Sequence, residues 1–261
     1  MASSNDDLVL LERRDDGVAL VTLNNPKVNA LSQELLARLG AVAADLATDL
    51  PGAVVITGGE RIFAAGADIS QFGGREQAAV ITSGFHTALD AIAGLPCFVI
   101  AEVVGFALGG GCELALACDY RIVGERGVFG QPEILLGIIP GGGGTQRLAR
   151  LVGPSRAKEL CMTGRQVKAP EALQIGLADE VVPGDQLRER TLALAAEVAR
   201  GARVAQGLIK QAIDEGLSRP LADGLALEQR LFAEAFRSED SQIGVASFLA
   251  SGPGKAQFTG R

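Results

Sequence analysis

A single histidine, His86, stands in the 261-residue chain, and the four cysteines at 97, 112, 118 and 161 form no Cys-x-x-Cys pair. A Cys/His metal site therefore has too few ligands at usable spacing, and no metal is expected. Unpaired thiols read as reduced cysteines, and with them goes an expected cytoplasmic location. His86 lies in the helical stretch 77–93, where a lone imidazole is packed or exposed far more often than it is catalytic, so no chemistry is assigned to it.

Positive charge is also in short supply. Lys and Arg total 24 against 31 Asp and Glu, a formal charge of −7. Nucleic acid and anionic membrane surfaces both require a basic footprint, so neither is an expected partner. Any phosphate the chain binds must be held by a few local groups. No run reaches the ~18 apolar residues that a membrane span needs. The first seven residues, Met1 to Asp7, contain no basic region followed by an apolar run and no Arg-rich amphipathic pattern, so neither a signal nor a transit peptide is expected there.

What the chain does have is apolar residues, 48%, enough for one large core with a smaller subdomain appended. It also has two glycine clusters and two acids close together: Gly105-Phe-Ala-Leu-Gly-Gly-Gly-Cys-Glu113, then Gln131-Pro-Glu133, then Pro140-Gly-Gly-Gly-Gly144. Before the first cluster, residues 97–104 read as a buried strand, and after it 112–117 as a short helix ended by Asp119. Glycines at a strand-to-helix turn leave backbone N–H groups at the positive end of the helix and let an anionic oxygen come close. Such a turn supplies half of an oxyanion hole. Glu113 is three residues past Gly110, one helical turn on, so its carboxylate projects beside an oxygen held by the Gly110 amide. The residues alone also allow a plainer reading, in which the glycines make a structural turn and Glu113 and Glu133 are first-turn acids, the latter after Pro132. Nucleotide motifs fail on spacing. A dinucleotide fingerprint needs glycine where Gln146 or Leu114 stands, and a P-loop needs Lys-Ser or Lys-Thr after its last glycine.

The order of these pieces resembles the enoyl-CoA hydratase (crotonase) superfamily. The resemblance is carried by Phe63-Ala-Ala-Gly-Ala-Asp-Ile69, Ala107-Leu-Gly-Gly-Gly-Cys-Glu113, Phe129-Gly-Gln-Pro-Glu133 and the run from Leu136 to Gln146, and it extends from about Leu8 to the C-terminus. It implies an α/β fold, a crotonase-like spiral of ββα repeats over residues 1–195, with a C-terminal helical trimerisation subdomain over 196–261. It implies hydration of 2-enoyl-CoA thioesters, with Glu113 and Glu133 as the acids and the amides of Gly110 and Ala67 as oxyanion donors. Coenzyme A would lie along Ala65, Ala67, Asp68, Ile69, Ser70 and Gly110 as part of the substrate, with no separate cofactor, and the protein would be a homotrimer or a homohexamer. Phe232 matches the family position that reaches a neighbouring subunit, and Lys255 is the tail's only lysine. An isomerase on the same scaffold needs one acid, and an acyl-CoA-binding protein needs none. There are departures: Ser70 stands where the family's hydratases often carry Lys, and Glu102 and Val104 replace a common Ala and Asn. Glu102 reads as a third acid near the site or as a strand-edge salt bridge.

The remaining chain reads as strands 8–11 and 18–23 around an Asp-Gly turn, then a helix over 33–47 capped by Ser32 and striped by Leu35, Leu39, Val42 and Leu46, then a buried strand over 53–57. Residues 71–83 read as a mobile flap or a plain surface loop. Short helices are expected over 145–151 and 155–162, and 170–175 with Gly176-Leu-Ala resembles a segment of the same family. Three amphipathic helices, 187–200, 204–215 and 221–236, close the chain without further strands, which again gives a ββα-repeat core followed by a helical subdomain.

Overall fold

The computed structural model describes residues 8–261; the N-terminal stretch read for a leader, residues 1–7, lies outside them. The chain opens on the expected hairpin. β1 (Val9–Arg13) and β2 (Val18–Leu23) pair antiparallel, with Val9 opposite Leu23 and Arg13 opposite Ala19. Helix α1 (Gln33–Thr48) follows, its first turn capped by Ser32, whose hydroxyl accepts from Leu35 N at 3.2 Å. Such a cap contributes about 1 kcal/mol. Its stripe of Leu35, Leu36, Leu39, Val42 and Leu46 is fully buried.

From β3 (Ala53–Thr57) to Gly130 the chain alternates between two sheets. After α2 (Arg75–Ala93) come β4 (Phe98–Val103), β5 (Phe106–Leu108) and α3 (Gly110–Ala117), then β6 (Tyr120–Gly124) and β7 (Val128–Gly130). Helices α4 (Gly144–Val152) and α5 (Pro154–Thr163) lead to β8 (Gln166–Lys168), α6 (Ala169–Gln174) and β9 (Glu180–Val182). The larger sheet has the order β1-β2-β3-β4-β6-β9, parallel from β2 onward, and the smaller has the order β5-β7-β8, extended by a bridge between Ala64 and Ala107. From β3 to β7 each turn of the chain thus lays one strand in the large sheet, one strand or bridge in the small sheet, and then a helix; the last turn runs in the opposite order, β8, α6, β9. This is the spiral of ββα repeats that the resemblance implies.

The large sheet is covered on both faces, which explains why β3 reads as an unbroken apolar run. Val54, Ile56, Val99, Ala101 and Val103 face α1, α2 and α3, while Val55, Ile100 and Ile122 face α7 (Leu187–Ala199). The expected domain boundary at residue 195 falls inside α7, which packs on the sheet. Helices α8 (Arg203–Gly216), α9 (Leu221–Ala235) and α10 (Glu239–Ser251) come after it. The chain therefore ends on one helix more than the sequence reading finds. A Lys210–Asp119 ion pair of 2.8 Å ties α8 to the core, and Lys210 Nζ also donates to Cys97 O.

Glu102 sits on the α7 face of β4, a central strand rather than an edge. Its Oε1 pairs with Arg188 at 2.9 Å and accepts from Thr57 Oγ1 at 2.9 Å. Burial raises its pKa, and Arg188 and Thr57 act against that rise. Of the two readings of Glu102, the salt bridge is the one present.

Candidate active site

The small sheet delivers its strand ends to one cavity. After β5, Gly109 takes φ +52°, a left-handed conformation that suits glycine, and its N–H donates to Gly130 O at 2.9 Å. The chain then turns straight into α3, whose eight residues are all buried. Gly110, first in the helix, leaves its N–H without an intrahelical partner. A Cβ added to Gly110 would lie 2.6 Å from Phe85 Cε1 and 3.4 Å from Ala67 N, so Gly110, Phe85 and Ala67 meet at one point.

Ala67 arrives from the loop after β3. That loop is laid against residues 28–31: Ala65 N donates to Val28 O, Leu31 N to Gly66 O at 2.8 Å, and Asp68 N to Leu31 O at 3.2 Å. Pairing on both sides of Ala67 turns its own N–H away from Leu31. Neither the Ala67 nor the Gly110 amide donates to any backbone or side-chain acceptor among the described residues. Two free donors at the start of a buried helix make a receptor for an oxygen that gains negative charge.

The two acids stand beside them. Glu113, 2% exposed, has its Oε1 held by two backbone donors, Gly142 N at 2.7 Å and Gly144 N at 2.8 Å. Desolvation raises its pKa, and the two amides pull the other way. Glu133 lies in the one-turn helix Pro132–Leu136 that follows β7. Oriented with its nitrogen toward Glu133, the buried Gln131 carboxamide donates to Oε1 and Oε2 at 3.0 and 3.1 Å. Desolvation first, with the Glu113 charge adding to it, carries the Glu133 pKa up to about 7. One acid is thus clamped by amides in the charge-favouring manner, while the other holds a proton near neutrality.

Together these groups open on a cavity of about 550 Å³, walled by Ala65, Ala67, Ile69, Phe72, Ile81, Phe85, Leu136, Ile138 and Ile139, with Gly110, Glu113 and Glu133 in its lining. The structure brings Glu113, Glu133, Gly110, Ala67, Ala65 and Ile69 into that lining. It does not bring Asp68 or Ser70 there, because these two are tied to each other: Asp68 Oδ1 accepts from Ser70 N at 3.1 Å and Ser70 Oγ at 2.7 Å. Only 72–74 of the expected loop 71–83 connects a one-turn helix, Ile69–Gln71, to α2, which begins at Arg75. The flap is therefore mostly helix, and Ala78, Ile81 and Thr82 line the cavity from it. His86 is exposed on α2. Burial pushes the thiols of Cys97 and Cys118 up to about 12. Among the described residues no group of three or more His, Cys, Asp or Glu could hold a metal ion.

Sequence reasoning missed the amide donors of Gly142 and Gly144, the carboxamide of Gln131 and the ring of Phe85. A signal for the first two was present in the run Pro140 to Gly144, whose glycines allow close approach of backbone.

Comparison with known proteins agrees with this geometry. The enoyl-CoA hydratase/isomerase family model matches residues 13–261. A Rhizobium meliloti protein bearing the name "Probable enoyl-CoA hydratase" is 44% identical over 257 residues, 97% of this chain and 98% of its own. The short-chain-enoyl-CoA hydratase of Clostridium acetobutylicum is 42% identical over 248 residues, 92% of this chain and 94% of its own. The crystal structure of enoyl-CoA hydratase from Bacillus anthracis superimposes with a TM-score of 0.92 at 36% identity, covering 97% of this chain and all of that one. With a matching model across nearly its whole length and relatives above 40% identity, the chain belongs to the enoyl-CoA hydratase/isomerase family.

Proposed function

We propose that the chain is a lyase that adds water across the 2,3 double bond of 2-enoyl-CoA thioesters, as in fatty acid β-oxidation. The observation that carries this reading is the meeting, in one apolar cavity, of two unpaired amides with two buried acids, one held by backbone amides and the other by a side-chain carboxamide. Hydration must place hydroxide character at Cβ and a proton at Cα while charge gathers on the thioester oxygen. Glu113, aimed by Gly142 and Gly144, takes the proton of the attacking water in its carboxylate form. Glu133, protonated below about pH 7, gives its proton to Cα. The Ala67 and Gly110 amides hold the enolate-like oxygen, each contributing on the order of 2.7–4 kcal/mol to the transition state. After one turnover the Glu133 proton is bonded to Cα and a proton from the water sits on Glu113. A proton must therefore return from Glu113 to Glu133 before the next turnover, which couples the two acids.

Coenzyme A enters as part of the substrate and runs past Ala65, Ala67 and Ile69, with no separate cofactor required. The exposed apolar side chains of α8 and α9, among them Ile209, Ile213, Leu221, Leu225 and Phe232, support assembly into a trimer or a pair of trimers. Four free thiols, three of them buried, favour a cytoplasmic setting.

Crotonyl-CoA tests the reading. Loss of the enoyl absorbance on adding the enzyme is the expected result. Activity confined to 3-enoyl-CoA would make the chain an isomerase, and binding without turnover would make it an acyl-CoA-binding protein; either outcome overturns hydration.

A further inference from the structure

Asn29 reaches with its side chain into the base of the oxyanion loop. It is buried and sits at φ +50°, in the left-handed region, so its side chain points back into the turn that carries it. Its Nδ2 faces three carbonyl oxygens of a single loop, Gly58 O at 2.9 Å, Phe63 O at 3.1 Å and Ile62 O at 3.2 Å. Its Oδ1 accepts from Asn25 N at 3.0 Å and its own N–H donates to Asn25 O at 3.0 Å, which locks the amide's orientation. Asn25 Nδ2 in turn holds Ala30 O at 2.7 Å.

The three carbonyls lie where the chain must double back between β3 and Ala64. A Cβ on Gly58 would sit only 2.1 Å from Ile62 O and 2.2 Å from Phe63 O, so this fold of the backbone is closed around the Asn29 amide with no room to spare. Phe63 is fully buried, and its carbonyl finds no water to replace a lost donor. Four residues on stands Ala67, whose neighbours on both sides are bonded to Leu31, two residues after Asn29. One short segment, 28–31, therefore fixes both the beginning and the end of the loop. Its side-chain contribution to that is Asn29.

We infer that Asn29 is a positioning residue for the reaction, setting the direction of the Ala67 N–H through the carbonyls of residues 58, 62 and 63. The inference rests on the reading of Ala67 as an oxyanion donor. It touches no substrate atom; it acts by keeping one of two donors aligned, and alignment within a few tenths of an ångström is what such a donor requires.

The test uses Asn29→Gly, which tolerates the positive φ while deleting the amide, so that backbone strain is not confused with the lost hydrogen bonds. The probe is cinnamoyl-CoA, a conjugated thioester whose absorption moves to the red as its carbonyl accepts stronger hydrogen bonds. It is read at saturation in the Glu133→Gln background, where it is not consumed. With Asn29 intact the probe should shift to the red, and with Asn29→Gly the shift should shrink. In otherwise unaltered enzyme, Asn29→Gly should lower kcat about tenfold or more while KM changes less than about threefold, since the lost interaction belongs to the transition state. A full red shift in the Asn29→Gly protein overturns the inference. No shift even with Asn29 intact removes the oxyanion reading itself, a separate failure. If Asn29→Gly yields no folded protein, Asn29→Asp takes its place, keeping the Oδ1 acceptor and a residue that tolerates positive φ while removing the Nδ2 donor: a loss of the shift supports the inference, and an unchanged shift overturns it.

Discussion

Helix α1 and helix α9 are written with similar apolar stripes, yet they end in different surroundings. In α1 six residues are buried, Leu39 completely, against the sheet and α2. In α9 only Leu227 is buried, and Phe232, stacked edge-on against Phe236 at 5.2 Å, remains 68% exposed. The stripe in a sequence specifies that a face is apolar; it does not specify what covers it. The first region is packed against the sheet and a neighbouring helix, and the second leaves most of its apolar side chains exposed.

The sharpest way to break this contrast is to add volume where none is available. Gly110→Val puts a branched side chain against the Phe85 ring and beside Ala67 N, and turnover of crotonyl-CoA should fall on the order of a thousandfold or more although both acids remain. Near-normal rates would take Gly110 out of the site. Altering charge at constant volume comes next. Glu113→Gln and Glu133→Gln should each lower kcat by about 10²–10⁴ with little change in acyl-CoA affinity. The double variant should be scarcely worse than the worse single one, and losses additive in logarithm would show that the acids do not act together.

Truncation then compares the two helices directly. Leu39→Ala should cost about 2–5 kcal/mol in urea unfolding. Phe232→Ala should change the stability of the dissociated chain by no more than about 0.5 kcal/mol, while sedimentation finds weaker assembly. Equal costs would mean that the C-terminal helices are as fully packed as the core. The mildest test alters only protons. Because burial keeps the Glu133 proton to about pH 7, kcat/KM should be level just below that pH and fall about tenfold per unit above it. Hydration and dehydration should share the same profile, since both directions use the pair carrying one proton. A profile flat to pH 9 would show that Glu133 does not act as a carboxylic acid.

Local chemistry made much of the molecule legible in advance. The Ser32 cap, the Asp-Gly hairpin and the apolar run of β3 are signals carried by adjacent residues, and each appears where it was read. The strands β5, β7 and β8 have three residues apiece, too few for an alternation to register, and they depend on one another for their hydrogen bonds. Helix α10 escaped because its apolar residues form no stripe and the one residue it buries is Asp240, which accepts from Thr259 N and Gly260 N of the chain end. The start of α2 was hidden by Gly73-Gly74 and by small side chains that face the cavity instead of a core. Within the site, Glu113 and Gly110 share one helical turn and were visible together. The donors that hold Glu113 come from 29 and 31 residues later, a distance that only the completed spiral closes.

That pair of donors gives the two acids unequal exposure to mutation. Glu113 is held by main-chain amides, a property of every amino acid but proline, so no exchange of side chains elsewhere can delete its support. The restriction falls on the supporting positions, where a methyl group on residue 142 would come 2.5 Å from Glu113 Oε2. Glu133 leans on the side chain of Gln131, which a single codon change can remove. In a lineage drifting away from two-acid chemistry, the support of Glu133 is the easier one to lose, and that of Glu113 the one that outlasts it.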